Sequence, residues 1–148
     1  MNRIYLEYGY YATENIPLEF EGIKGKSEKD IVMKSKIPAL VKLVNEGEET
    51  VIIKERRIRG AKTGSESLKT GGFEFAESGY RFVLNDTDYI TTRPSGTEPY
   101  IRFYGQLRIP QEGLSWENIE VEKQKADARI KEIVLEAQQV VLKVVVVA

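Results

Sequence analysis

A short loop in the second half of this chain concentrates the residue types that hold anions. Arg93 and Arg102 carry guanidinium groups, each of which can donate two parallel hydrogen bonds to a phosphate. Between them, Ser95 and Thr97 add hydroxyl donors, and Gly96 lets the backbone approach a ligand closely. The successive amide groups of Ser95, Gly96 and Thr97 can form a concave nest for an anion. The residue types and their spacing therefore predict either an oxyanion site or an ordinary turn whose arginines are solvated.

Composition excludes many other kinds of chemistry. The chain has 148 residues with no cysteine and no histidine, so it offers no thiolate nucleophile, no imidazole base and no Cys/His metal site. Its 22 Lys and Arg against 23 Asp and Glu give a net charge of −1, which argues against nucleic acid as a partner. No apolar run is long enough to span a membrane, and no leader pattern is seen. We therefore expect a cytoplasmic protein without a membrane contact, and the absence of cysteine fits a reducing compartment.

Hydrophobic periodicity predicts the strands that must position the loop. Apolar and polar residues alternate with the period of a half-buried strand. The predicted strands cover residues 16–20, 50–59, 80–84, 89–92 and 100–107. In the last of these, Arg102 alternates with Ile101 and Phe103, so it should point away from the core. Pro17, near the start of the first predicted strand, predicts an edge or a strand-entry position. The glycine-rich stretch 60–79 reads as a long surface loop.

Two helical regions complete the predicted elements. Ser27 is expected to cap a helix that Pro38 interrupts or restarts and that Gly47 ends. Ser115 is expected to cap a last helix that carries one apolar stripe. The stripe consists of Ile119, Ala126, Ile130, Ile133, Ala137 and Val140. The order β-α-β-β-β-α predicts an α+β fold with a mainly antiparallel sheet of about four strands and helices on one face.

The run RPSGTEP at residues 93–99, followed by Arg102, resembles the phosphate-binding signature in the C-terminal domain of the α-D-phosphohexomutases. That family includes phosphoglucomutase and phosphomannomutase. Two weaker stretches, residues 8–11 and 21–26, are similar to the lead-in to this domain in the bacterial branch related to phosphoglucomutase 2. The resemblance is specific over about 15 residues and weaker over about 40 more.

The resemblance implies the fold, the activity and the site. It implies a TATA-box-binding-protein-like domain at residues 14–148, with residues 1–13 as the remnant of a preceding domain or connector. The full-length enzymes interconvert hexose 1-phosphate and hexose 6-phosphate through a phosphoserine and a bisphosphate intermediate, using Mg²⁺ that another domain holds. This domain binds the substrate phosphate that is not being transferred. The residues that match the family's phosphate ligands are Arg93, Ser95, Gly96, Thr97 and Arg102.

The catalytic serine and the aspartate-rich metal loop of the family have no match in this chain. We therefore expect the isolated chain to be inactive, without catalytic or metal-binding residues of its own. The implied partners are a hexose phosphate and the other domains of the same polypeptide. The hexose itself, whether glucose, mannose or an aminosugar, is left open, because the family reads the sugar with another domain.

Two alternatives from other classes of protein stay open at this point. One is a stand-alone α+β anion-binding or interaction module without catalysis. The other is a nucleic-acid-binding α+β domain, which predicts strongly salt-dependent binding to oligonucleotides. The basic run at residues 54–59 is expected to be the solvated side of a strand.

Overall fold

A computed structural model describes residues 2–20, 25–47, 50–63, 79–94 and 99–144 of the chain. Helices and strands account for most of these residues. In chain order the elements are α1 (Asn2–Tyr8), β1 (Tyr10–Glu19), α2 (Gly25–Ile31), a π-helical turn (Val32–Lys36), α3 (Ile37–Glu46), β2 (Ile52–Ile53), β3 (Arg56–Arg57), β4 (Gly60–Thr63), β5 (Tyr80–Val83), β6 (Tyr89–Pro94), β7 (Tyr100–Ile109), a 3-10 turn (Gln111–Gly113) and α4 (Ile119–Lys143).

Five strands form an antiparallel sheet in the order β1-β7-β6-β5-β4, and β2 and β3 form a separate two-stranded hairpin. The α+β fold with helices packed on an antiparallel sheet is thus confirmed. The predicted strands at 16–20, 80–84, 89–92 and 100–107 correspond to β1, β5, β6 and β7. The fifth strand of the sheet is β4, which forms within the expected surface loop and pairs with β5. β6 and β7 are interior strands, so the residues they carry are held on both sides.

The core lies between one face of the sheet and the helices. Ile101 and Phe103 of β7 are fully buried there, together with Ile130 and Val134 of α4. A Cβ atom at Gly105 would lie 2.5 Å from Cγ2 of Val134, so the missing side chain is what lets α4 pack closely against β7. The predicted apolar stripe of the last helix faces this core, with Val140 only partly buried.

The helical boundaries follow the sequence signals with two shifts. α2 begins at Gly25, so Ser27 lies within its first turn, and the prediction that Ser27 caps this helix is wrong. Pro38 lies in the first turn of α3, directly after the π-helical turn, and Gly47 ends α3 in the left-handed conformation at φ 68°. α4 begins at Ile119, later than predicted. In the turn before it, the amide of Ser115 donates to Oδ1 of Asn118 (2.8 Å) and the amide of Asn118 donates to Oγ of Ser115 (3.2 Å). Ser115 therefore closes the preceding turn, and α4 starts one turn further on.

The predicted strand at residues 50–59 is wrong, because the chain reverses in its middle. Lys54 and Glu55 have φ values of 46° and 70°, which make the tight turn between β2 and β3. The amide of Lys54 donates to Oε2 of Glu136 at 2.5 Å, and its Nζ lies 3.9 Å from Oε1 of the same carboxylate. This contact with α4 holds a turn for which Lys-Glu gives no local signal.

The N-terminal segment is integrated into the sheet. β1 begins at Tyr10 and so runs through the expected boundary between residues 13 and 14. The hydroxyl of Tyr10 donates to Oδ1 of Asp127 at 2.7 Å, whereas Tyr8 and Tyr11 are exposed. The division into a connector and a domain stays a prediction.

Within the described residues, no helix combines the length and the apolar character needed to cross a membrane.

Candidate anion-binding site

The two arginines of the predicted site lie directly opposite each other. β6 extends to Pro94, so Arg93 belongs to a strand and pairs in register with Arg102 of β7. The neighbours Thr92 and Phe103 are also paired and are fully buried against the helices. Because side chains alternate along a strand, Arg93 and Arg102 project together from the opposite face of the sheet, here called the open face.

This pairing brings two positive charges together. Directly opposed residues on antiparallel strands have Cβ atoms about 4.5–5.5 Å apart, and like charges in such pairs are destabilising. Among the described residues, neither Arg93 nor Arg102 forms an ion pair with a carboxylate. Arg93 is exposed and Arg102 is half-buried. An anion that bridges the two guanidinium groups would relieve their repulsion.

Arg102 is held by its neighbour on the same strand and the same face. Its Nη2 donates to the hydroxyl of Tyr100 at 3.3 Å, and its guanidinium carbon lies 5.0 Å from the centroid of the Tyr100 ring. Both contacts leave the charge of Arg102 uncompensated, because the tyrosine side chain is neutral.

The structure brings together two of the five predicted phosphate ligands. Arg93 and Arg102 face the same side, while Ser95, Gly96 and Thr97 lie outside the described residues, so the amide nest stays a prediction. Pro99 directly precedes β7, and its carbonyl oxygen accepts a hydrogen bond from the amide of Phe20 at 2.9 Å.

The open face carries all the basic residues of the five strands. Strand register places them on this side of the sheet, with Glu19 as the one carboxylate of the strands on the same face. The basic residues are Lys62, Arg81, Arg93, Arg102 and Arg108. The net charge of −1 therefore conceals a strongly basic surface around the arginine pair.

Sequence analysis missed three basic residues of this face, Lys62, Arg81 and Arg108, and Arg81 has the most contacts with the strand residues around it. Its guanidinium carbon lies 3.9 Å from the centroid of the Tyr89 ring, and its Nε donates to Oγ1 of Thr91 at 3.1 Å. Burial lowers the pKa of Arg81, partly offset by the neighbouring Tyr89. Alternation within residues 80–84 already places Arg81 and Phe82 on opposite faces of the strand. Only the strand register shows that Arg81 shares a face with Arg93.

The described residues include no cluster of three or more acidic side chains that would hold a metal ion. The expectation that Mg²⁺ binds to another domain of a longer enzyme stays a prediction.

No protein-family model matches this chain, and a search of curated proteins finds no match. The similarity to the phosphohexomutases therefore depends on the loop residues themselves and on the chemistry that they offer.

Proposed function

We propose that this chain is the C-terminal, substrate-phosphate-binding domain of a phosphohexomutase of the phosphoglucomutase and phosphomannomutase family. In such an enzyme it would hold one phosphate of a hexose phosphate while the other end of the sugar reacts in another domain. The residues proposed to bind the phosphate are Arg93, Ser95, Gly96, Thr97 and Arg102.

The observation that supports this proposal most strongly is the cross-strand pairing of Arg93 with Arg102 on the open face. Two opposed guanidinium groups without a carboxylate partner among the described residues repel each other until an anion lies between them. A phosphate monoester suits this position, because its doubly charged phosphoryl group has several oxygens that can accept hydrogen bonds from both side chains at once.

A phosphate-holding domain without catalytic groups has a clear role in phosphoryl transfer. That reaction depends mostly on positioning and on electrostatic stabilisation. Binding energy gained at a remote phosphate can therefore be used to orient the reacting end of the sugar. Recognition by charge also tolerates either end of a bisphosphate, since both ends present the same group of oxygens.

The proposal can be tested on the isolated chain by following backbone resonances during a titration with glucose 1-phosphate. We expect resonances of Arg93, Gly96, Thr97 and Arg102 to shift, and unphosphorylated glucose to shift none of them. Arg93→Gln and Arg102→Gln should each weaken binding roughly 10- to 100-fold. This loss of affinity corresponds to the free energy of one hydrogen bond to a charged group. The isolated chain should show no mutase activity.

Arg129→Gln is the matched control, because Arg129 is exposed on α4, on the helical side of the sheet. This variant has the same change of charge and should bind glucose 1-phosphate like the unmodified chain. The proposal is wrong if the resonances of the loop do not move, or if all three variants bind equally well.

A further inference from the structure

Arg93 and Arg102 differ in how firmly their side chains are held. The side chain of Arg102 has the hydroxyl and the ring of Tyr100 as partners, whereas the side chain of Arg93 forms no hydrogen bond or ion pair within the described part of the chain. Tyr100 and Arg102 are two residues apart on β7 and therefore project from the same face. The contact is thus built into the strand and does not depend on the conformation of the loop.

The chemistry of Tyr100 suits a residue that orients a cation without neutralising it. A guanidinium group has five N–H donors, and one of them goes to the Tyr100 hydroxyl, which leaves the others for a ligand. A carboxylate at this place would fix Arg102 equally well, but it would cancel the charge and repel a phosphate. A neutral acceptor with an aromatic ring restrains the side chain by a hydrogen bond and a cation–π contact and preserves its charge.

We propose that Tyr100 is a positioning residue that holds the Arg102 guanidinium ready for a doubly charged phosphoryl group. This inference rests on the proposed function, because it assigns a role to Tyr100 only if Arg102 binds phosphate. Arg93 would then complete the site after the ligand has met Arg102, since its side chain is exposed and its described neighbours do not restrain it.

The experiment is a double-mutant cycle with inorganic phosphate as the probe. Tyr100→Phe keeps the ring and removes the acceptor. Phosphate affinity should fall roughly 2- to 10-fold, less than the loss of a direct hydrogen bond to the phosphate, because Arg102 keeps its charge and loses only a restraint. Tyr100→Leu also removes the ring and should lose more. In an Arg102→Gln background, Tyr100→Phe should cause no further loss, because the group that Tyr100 orients is gone.

Tyr104→Phe provides the matched control, since Tyr104 lies two residues beyond Arg102 on the same strand and face. It should leave phosphate affinity unchanged. Thermal unfolding without phosphate shows whether each variant folds, and a change in midpoint without a change in affinity would assign Tyr100 a structural role only.

The outcomes separate the two proposals. If Arg102→Gln weakens phosphate binding while Tyr100→Phe has no effect, or has the same effect in the Arg102→Gln background, the positioning role is wrong and the phosphate site stands. If Arg102→Gln binds phosphate as well as the unmodified chain, both proposals are overturned.

Discussion

Residues that face the helices determine where the two arginines point. Thr92 and Phe103 are fully buried, and they fix the faces of β6 and β7 on which their neighbours lie.

At the other end of these strands, the carboxylate of Asp88 is 3% exposed and accepts hydrogen bonds from the amide of Arg108 (2.8 Å) and from Nδ2 of Asn85 (2.9 Å). Burying a carboxylate is costly unless donors satisfy it, so these hydrogen bonds stabilise the turn between β5 and β6.

Gly105 is the residue at which the packing of β7 is most sensitive. A Cβ atom there would lie 2.5 Å from Cγ2 of Val134 and 2.8 Å from Cδ1 of Ile130, so α4 or its side chains must shift. We expect Gly105→Ala to lower the free energy of unfolding by about 1–3 kcal/mol, the usual effect of overpacking. Urea denaturation measures the change. Gly113→Ala is the control, because its Cβ would meet its nearest neighbour, Cγ2 of Ile109, at 3.8 Å.

Equal stability of Gly105→Ala and Gly113→Ala would show that α4 does not lie as close to β7 as described. A large loss of stability in the Gly113→Ala variant alone would point to the same conclusion.

Among the elements, β1 and α4 are joined by a polar contact at the edge of the core. The hydroxyl of Tyr10 donates to Oδ1 of Asp127, and the Tyr10 ring meets the ring of Tyr5 edge-on at 4.9 Å between centroids. Burial, followed by the hydrogen bond to Asp127, raises the pKa of Tyr10 to about 12. The folded chain thus holds the phenolic proton more tightly than the unfolded chain does.

This contact predicts a loss of stability at alkaline pH. Between the ordinary tyrosine pKa of 10.0 and the raised value of about 12, the folded state binds more protons than the unfolded state, so the free energy of unfolding falls as pH rises. Tyr10→Phe should show a smaller fall between about pH 9 and about pH 11 in urea denaturation. Tyr11→Phe, at an exposed neighbouring position, should behave like the unmodified chain. Identical pH dependence in all three proteins would contradict the prediction.

Sequence patterns predicted the elements in which local signals agree with the tertiary structure. The edge position indicated by Pro17, the restart of the helix at Pro38 and the outward direction of Arg102 are all confirmed. In each case a backbone restriction or a strict alternation acts within a few residues. The final helix was predictable for the same reason, since its apolar stripe repeats at helical spacing over several turns.

Long-range pairing determined what the sequence did not reveal. The turn at Lys54 and Glu55 is held by Glu136 of α4, and β4 exists because it pairs with β5. For the site, the sequence identified Arg93 and Arg102 but not their direct opposition, which depends on the register between β6 and β7. Arg81 and Tyr100 were missed for this reason as well, because their relevance lies in sharing a face with the arginine pair.

For the molecule as a whole, the basic residues of the five strands all lie on one side of the sheet. The open face holds five basic residues of the strands, although the complete chain has a net charge of −1. A basic surface of this kind attracts anions over a distance, and the attraction is screened by salt. The position of the charges is therefore more informative about ligands than their sum.

Lys62 offers a test of this basic surface, because it is exposed and about 12 Å from Arg93 by strand spacing. Lys62→Gln should weaken binding of glucose 1-phosphate about twofold at about 10 mM salt and much less at about 150 mM. Lys131→Gln, at an exposed position of α4, should have no effect at either concentration. Titrations at both concentrations measure the difference, and equal affinities of the two variants at low salt would contradict it.

The order of the strands has a consequence for how the chain folds. β1 pairs along its whole length with β7, so that Tyr10 meets Ile109 after most of the sequence has intervened. Closing such a long stretch of chain costs conformational entropy before any contact compensates for it, which slows folding. On the ribosome, β1 must wait, unpaired, until β7 has been synthesised.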